Sequence, residues 1–319
     1  MSKYIKNQNV LIIGQGSIAR QHKSNLNEFE LNISQIPSSS SLGTIKEKII
    51  ELNIEYVIIC SISSKHYDGI MACLHLNKFF YCEKPFVLSA TQLSEINKYL
   101  KKKSHNIHSS CIGFNLRYHP LIGHAKKLIE TNQGCISFNF KVGHDVTKWR
   151  KGRDINSLFS LSRSKGGGAI SELSHEIDLA CYICRDMKDI NVISILDPWK
   201  KSVDGQSIIT SKARNFVGSI YLDIVSSKLF REFMIVSKDL YMHGNLVTQT
   251  LEIKDSKRLR KKMFNYDRNS ILRKSLIMAL NYAFSGKQTT MPLNLVRDCN
   301  NSSSIITKAY EQSLVKLVK

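Results

Sequence analysis

Along the first third of the chain, short apolar runs alternate with segments whose apolar residues recur at helical spacing. Val10–Ile13 is such a run; it ends on glycines and gives way to Ile18–His22, which predicts a strand, a tight turn and a helix. Leu31–Ile36 reads as a second strand, Ser38–Ser41 as a serine tract, Ile45–Asn53 as a helix and Tyr56–Cys60 as a fully apolar third strand. The rhythm continues with a helix over His66–Asn77, a strand over Phe79–Glu83, a helix over Ser89–Lys102 opened by a serine cap, and a strand over Ile107–Phe114. Alternation of this kind predicts a parallel sheet covered by helices on both faces.

After Pro120 the grammar changes. A helix over Leu121–Thr131 leads into Cys135–Gly143, whose alternation suits a half-exposed strand. A polar loop, Asp145–Lys165, precedes a triple-glycine turn at Gly166–Gly168 and a helix over Ile170–Cys184. The runs Gln206–Thr210, Val217–Val225, Glu232–Val236 and Thr248–Ile253 predict a mostly antiparallel sheet, and Ser270–Ser285 and Asn294–Val318 read as closing helices. The expected fold class is α/β with two domains: residues 1–117 around the parallel sheet, and residues 118–319 as an α/β domain with an open, mostly antiparallel sheet. A length of 319 residues agrees, being long for one core.

Composition narrows the function classes. With 42% hydrophobic and 23% charged residues the chain is that of an ordinary globular protein, and no stretch approaches the roughly 18 consecutive apolar residues of a membrane span. Val10–Ile13 is too short for a signal-peptide core, and the eight cysteines are scattered, several within apolar runs. A cytoplasmic protein with reduced thiols is expected. Cys181 and Cys184 have redox-motif spacing but fall in a helical pattern without a second pair, so no metal is expected. The net charge of +20 raises nucleic acid as a partner, yet lysines are spread along the chain and the dense run Lys254–Lys262 has no interleaved aromatics to stack on bases. A phosphate-bearing small substrate, or a loose attraction to a membrane surface, also suits this charge.

Gly14-Gln15-Gly16-Ser17-Ile18-Ala19 fits the pattern G-x-G-x-x-G/A after the first strand of such a sheet. Its first glycine makes the turn, its second lets the backbone approach a pyrophosphate, and the small last residue packs helix on strand, which makes the first domain Rossmann-like and dinucleotide-binding. Ser17 and Ile18 stand at the helix start, whose free N–H groups face the phosphates. The acidic residue that usually follows the second strand and holds the ribose is missing; Ser38–Ser41 stands there instead, which leans towards NADP and leaves NAD open.

Five segments now fall into one order: Gly14–Ala19, Cys60–His66, Glu83-Lys84-Pro85, Asn115–Pro120 and Gly166–Leu179. In order and spacing the chain resembles the glucose-fructose oxidoreductase and inositol dehydrogenase family (Gfo/Idh/MocA), on the branch found among nucleotide-sugar and surface-glycan enzymes. The resemblance implies an NAD(P)-dependent enzyme moving a hydride to or from a sugar or nucleotide-sugar hydroxyl or ketone, a glycan-precursor role, and a homodimer or homotetramer. It implies that Lys84 and His175 are catalytic, with Glu172 beside the histidine. It implies further that Ser61, Ser63, His66 and Glu83 border the cofactor, and that Arg117, Tyr118, Trp149, Arg150 and Asp154 face the sugar.

The chemistry fits those residue types. Taking hydride from an alcohol carbon needs a base for the hydroxyl proton and a donor or cation for the developing oxyanion. Lys84 or His175 is able to be the proton acceptor. Glu172 lies three residues before His175, so on one helix they would share a face. Each residue also has a plain explanation: Lys-Pro at a strand end is a common turn, His66 and His119 fit packing roles, and Asp178 suits a structural hydrogen bond. Departures from the family pattern fall at three places. The stretch Leu31–Ile54 is about one helix-and-strand unit short, Glu172 replaces an aspartate one residue further from the histidine, and Ile62 stands where proline is common. The rival function is a degenerate member that senses a ligand or acts as a scaffold.

Overall fold

The computed structural model describes residues 4–132, 134–149, 154–185, 187–213 and 216–317. Contacts divide the chain into two compact units, Met1–Asn115 with Arg268–Asn300, and Leu116–Asp267 with Asn301–Lys319.

In the first unit the elements run β1 (Asn9–Ile13), α1 (Ser17–Leu26), β2 (Asn32–Ile36), α2 (Leu42–Glu51), β3 (Tyr56–Ile59), α3 (His66–His75), β4 (Phe79–Cys82), α4 (Ala90–Leu100) and β5 (Cys111–Ile112). They form a parallel five-stranded sheet in the order β2-β1-β3-β4-β5, with Val10 opposite both Ile33 and Tyr56. The central strands β1 and β3 are apolar on both faces because both faces are covered. One helix, α2, joins β2 to β3, so β2 is the sheet edge and its residues are mostly only half-buried. That helix begins at Leu42 instead of Ile45 because Ser41 caps it, its Oγ accepting from Thr44 N–H at 3.2 Å. The expected strand over Ile107–Phe114 shrinks to β5, since Asn106–Ser109 forms a turn begun by His105, whose Nδ1 accepts from Ile107 N–H.

The second unit opens with α5 (Pro120–Thr131) and β6 (Ser137–Gly143), then α6 (Ala169–Glu172) and α7 (Ser174–Cys184). Seven more strands follow: β7 (Asp189–Leu196), β8 (Asp204–Ala213), β9 (Phe216–Asp223), β10 (Phe230–Val236), β11 (Leu240–Asn245), β12 (Thr250–Asp255) and β13 (Leu259–Met263). They join β6 in an eight-stranded sheet, β13-β12-β11-β10-β6-β9-β8-β7, antiparallel except where β6 meets β9. Alternation along β6 puts Phe138, Phe140 and Val142 inside, and α7 packs on β6 and β9 from that side. Ile193, Ile208 and Met234 stand exposed on the other face, and every residue of β13 is exposed.

α8 (Arg268–Phe284) belongs to the first unit, where Leu276, Ala279, Leu280 and Ala283 join Val10, Ile12, Tyr56 and Tyr81 in one core. α9 (Asn300–Leu317) lies, from Asn301 on, in the second. All eight cysteines are buried free thiols, and no helix of the described residues is long and apolar enough to cross a membrane.

Candidate functional site

The first glycine turn follows from steric necessity. Gly14 has φ +122°, and a Cβ there would stand 2.5 Å from the Cys60 carbonyl oxygen, so only glycine lets β1 turn against the end of β3. The turn is pinned to the sheet edge by the Gly14 N–H to Ile36 O bond at 2.9 Å and by the Gln35 amide on Gly14 O at 2.7 Å. Gly16, exposed, is the N-cap of α1; no side chain caps that helix, and a Cβ on Gly16 would meet nothing within 4 Å. Ser17 is exposed, Ile18 half-buried, and Ala19 fully buried against the core. An uncapped helix start facing open space suits a pyrophosphate.

After β3, Ser61 and Ser63 are half-buried, and Ser61 Oγ is a buried hydroxyl with no hydrogen-bond partner among the described residues. An orphaned hydroxyl beside the glycine turn fits a bound dinucleotide. His66 is buried, with Nδ1 2.7 Å from Pro85 O and Nε2 3.1 Å from Ser61 O, and burial holds its pKa below the usual value against the pull of those carbonyls. Glu83 is buried with Oε1 2.7 Å from His22 Nε2, and Lys84, half-buried, follows it directly.

In the second unit the triple-glycine turn is also built, but it is closed. Gly168 has φ +120°, and a Cβ there would lie 2.2 Å from Asp204 Oδ1. Asp204, fully buried, accepts from Ile170 N–H at 2.9 Å and from Arg163 Nη1 at 2.9 Å. Burial pushes the Asp204 carboxyl up, opposed by the Ile170 amide and Arg163. The Arg163 guanidinium stacks 3.3 Å over the Tyr310 ring, and the Tyr310 hydroxyl donates to Gly167 O at 3.2 Å. This network fixes the start of the segment that carries Glu172 and His175, both half-buried.

Two expectations change here. The helix read over Ile170–Cys184 is broken at Leu173 into α6 and α7, so Glu172 and His175 do not share a continuous helical face. Arg117, expected at the sugar, is 3% exposed and clamps Asp178, with Nη2 2.6 Å from Oδ1 and Nε 3.0 Å from Oδ2, while its guanidinium lies over Tyr182. An arginine so engaged is held by its own chain, its Nε and Nη2 both taken by Asp178. Tyr118 is buried beside it. Trp149 is half-buried, 5.6 Å from the His144 ring, and its Nε1 has no partner among the described residues. Asp154 is exposed and caps a short turn through Asn156 N–H, and Arg150 lies outside the described residues.

His22, Arg163, Asp204 and Tyr310 had not been singled out as site residues. His22 carried a faint signal, since it shares the buried face of α1 with Ala19 and Leu26 and so had to meet a polar partner inside. The others join residues far apart in the chain.

Known proteins resemble the chain in sequence over part of its length and in fold over nearly all of it. Residues 30–110 match the GFO_IDH_MocA model, described as an oxidoreductase family with an NAD-binding Rossmann fold. The chain is 35% identical over 134 residues to an inositol 2-dehydrogenase/D-chiro-inositol 3-dehydrogenase of Lactiplantibacillus plantarum, spanning 42% of this chain but only 35% of that one. It is 23% identical over 237 residues to glucose-6-phosphate 3-dehydrogenase of Bacillus subtilis, covering 68% and 67% of the two chains. A levoglucosan dehydrogenase in complex with NADH shares the fold over 98% of both chains, with TM-score 0.78 at 16% identity. Over residues 30–110 the chain thus matches the Gfo/Idh/MocA oxidoreductase family with its NAD-binding Rossmann fold, within a two-sheet fold shared with that levoglucosan dehydrogenase.

Proposed function

We propose that the protein is an NAD(P)-dependent dehydrogenase or reductase acting on a hydroxyl or ketone of a sugar, sugar phosphate or nucleotide sugar, in the making of glycan precursors. The observation that carries this is the uncapped α1 start behind Gly14 and Gly16, next to the orphaned Ser61 hydroxyl. When bound, a nicotinamide supplies or accepts the hydride. Gly14, Gly16 and Ala19 seat the pyrophosphate, with Ser17 and Ile18 offering backbone N–H groups. Lys84 and His175 hold and move the hydroxyl proton and steady the oxyanion. Tyr118, Trp149 and Asp154 line the sugar, while Arg117 is engaged by Asp178 and Tyr182. An anionic substrate suits the net charge of +20.

The missing carboxylate after β2 favours NADP over NAD. Ser41 is engaged as the cap of α2 and Ser40 donates to Pro37 O, which leaves Ser38 and Ser39 as the hydroxyls for a 2′-phosphate. Two copies pair through the open face of the eight-stranded sheet, supported by Ile193, Ile208 and Met234 exposed there. Sedimentation of the purified chain tests the pairing, a monomer ruling it out.

The central test titrates the chain with NADH and NADPH by nicotinamide fluorescence, then screens free, phosphorylated and nucleotide-linked sugars by absorbance. One cofactor is expected to bind, and binding of neither removes the proposal. Lys84→Ala is expected to lower turnover about 10²- to 10⁴-fold; unchanged turnover removes Lys84 from the chemistry. The ligand-sensing alternative draws on the single-helix link from β2 to β3, and cofactor binding without turnover on any sugar would favour it.

A further inference from the structure

The segment that carries Lys84 is held on both sides by buried histidines from two different elements of the first unit. His22, in α1, is 0% exposed and places Nε2 2.7 Å from Glu83 Oε1, on the residue before the lysine. His66, the first residue of α3, is 1% exposed and places Nδ1 2.7 Å from the carbonyl of Pro85, on the residue after it. One histidine therefore holds a side chain and the other holds the backbone. Each also belongs to an element with an expected cofactor contact. α1 is the helix that leaves the Gly14–Gly16 turn, and His66 Nε2 lies 3.1 Å from the carbonyl of Ser61, where the turn after β3 begins.

The bond types fix what each ring does. Both ring nitrogens of His66 face carbonyl oxygens, which only accept, and the buried neutral ring has one N–H to give; the shorter contact, Nδ1 to Pro85 at 2.7 Å, takes it and leaves Nε2 in van der Waals contact with Ser61 O. The Glu83 carboxylate accepts from His22 Nε2, a charge-assisted bond in a dry site. His22 further packs edge-on against Tyr81 at 5.5 Å, and the Tyr81 hydroxyl meets Ser275 Oγ at 3.1 Å, so the ring has little room to turn.

We propose that His22 and His66 are positioning residues for Lys84, which pass the placement of the glycine-turn helix and of the Ser61 turn on to the lysine. The proposal rests on the reading of Lys84 as a catalytic group beside a nicotinamide cofactor. If the histidines only fill the core, replacing them costs stability and leaves the chemistry of Lys84 as it was. If they position it, the reactivity of the Lys84 amine changes, and so does its response to cofactor.

Trace acetylation with acetic anhydride, read peptide by peptide by mass spectrometry on the full chain, measures that reactivity relative to the exposed Lys98. Wild type is compared with His22→Gln, His22→Ala, His66→Gln and His66→Ala, with and without NAD+ and NADP+. In folded variants the Lys84 to Lys98 ratio is expected to change about tenfold and to stop responding to cofactor. An unchanged ratio in folded variants of both histidines overturns the proposal. If the variants do not fold, nitrogen-15 spectra of histidine in the wild-type chain decide it: a proton on His66 Nδ1 supports the proposal, and a bare Nδ1 overturns it. No sugar enters these measurements. A wild-type lysine that ignores both cofactors counts against the proposed function, while the ratio between variants still decides the role of the histidines.

Discussion

A glycine turn opens a helix in each unit, and the two turns end differently. At Gly14–Gly16 the start of α1 has no side-chain cap and faces open space. At Gly166–Gly168 the start of α6 receives a carboxylate from β8, because Asp204 takes the Ile170 N–H and is itself held by Arg163. α5 is a third case, begun by His119, whose Nδ1 accepts from Leu121 N–H at 3.0 Å. Glycines alone therefore do not mark an anion site. What sets α1 apart from α6 is a glycine N-cap in open space to which no described side chain brings the negative partner a helix start attracts.

The largest effect should come from opening the closed turn. Asp204→Ala strands the buried Ile170 amide and takes the carboxylate partner from the half-buried Arg163, and is expected to cost about 3 kcal/mol of stability in denaturant unfolding. A loss under about 1 kcal/mol, within the range of an exposed ion pair, would mean that the turn holds itself and the contrast is only apparent.

The histidine-capped start should be sensitive to pH. Burial, aided by the charge of Arg231, pushes the His119 pKa down to about 4, and protonating Nδ1 would also break the cap. A depressed folded value means the unfolded chain binds the proton first. Stability is therefore full above roughly pH 6.5 and falls as pH drops towards about 4, by about 3 kcal/mol if this group acts alone. Thermal melts across that window check it against His119→Asn, which keeps a cap and should flatten the curve; equal slopes in both proteins would exclude His119.

Closing the open turn is the gentlest change and the sharpest contrast. Gly16→Asp places a carboxylate at an N-cap whose φ of −71° suits any residue, so stability should hold or rise by about 0.5 kcal/mol. Cofactor affinity, read by nicotinamide fluorescence, should fall about tenfold or more as the carboxylate displaces the pyrophosphate. Unaltered affinity would show that α1 does not face the phosphates.

The parts of this fold that were legible in sequence are those set by local rules. The apolar runs Val10–Ile13 and Tyr56–Cys60 announce central parallel strands, and Gly14 declares a turn that no side chain tolerates. Pairings between distant residues were not legible. The resemblance implies that Arg117 faces the sugar, and nothing local shows Asp178, 61 positions on, taking its guanidinium. The break at Leu173 was hidden because Ile170–Cys184 keeps helical spacing across it, so the shared face of Glu172 and His175 was inferred from a continuity the backbone lacks. His22 went unremarked since its partner, Glu83, lies on another element.

The exposed strand β13 bears on how this protein behaves in a crowded solution. Its backbone ends the eight-stranded sheet and offers an unpaired row of amides and carbonyls to any passing chain. Arg260, Lys261 and Lys262 stand along that row, with Lys257 and Arg258 in the turn before it. Arg260 and Lys261 are paired with Asp255 and Glu252, and the remaining cations put like charge in the way of a second edge of the same kind, a general obstacle to edge-to-edge pairing of strands.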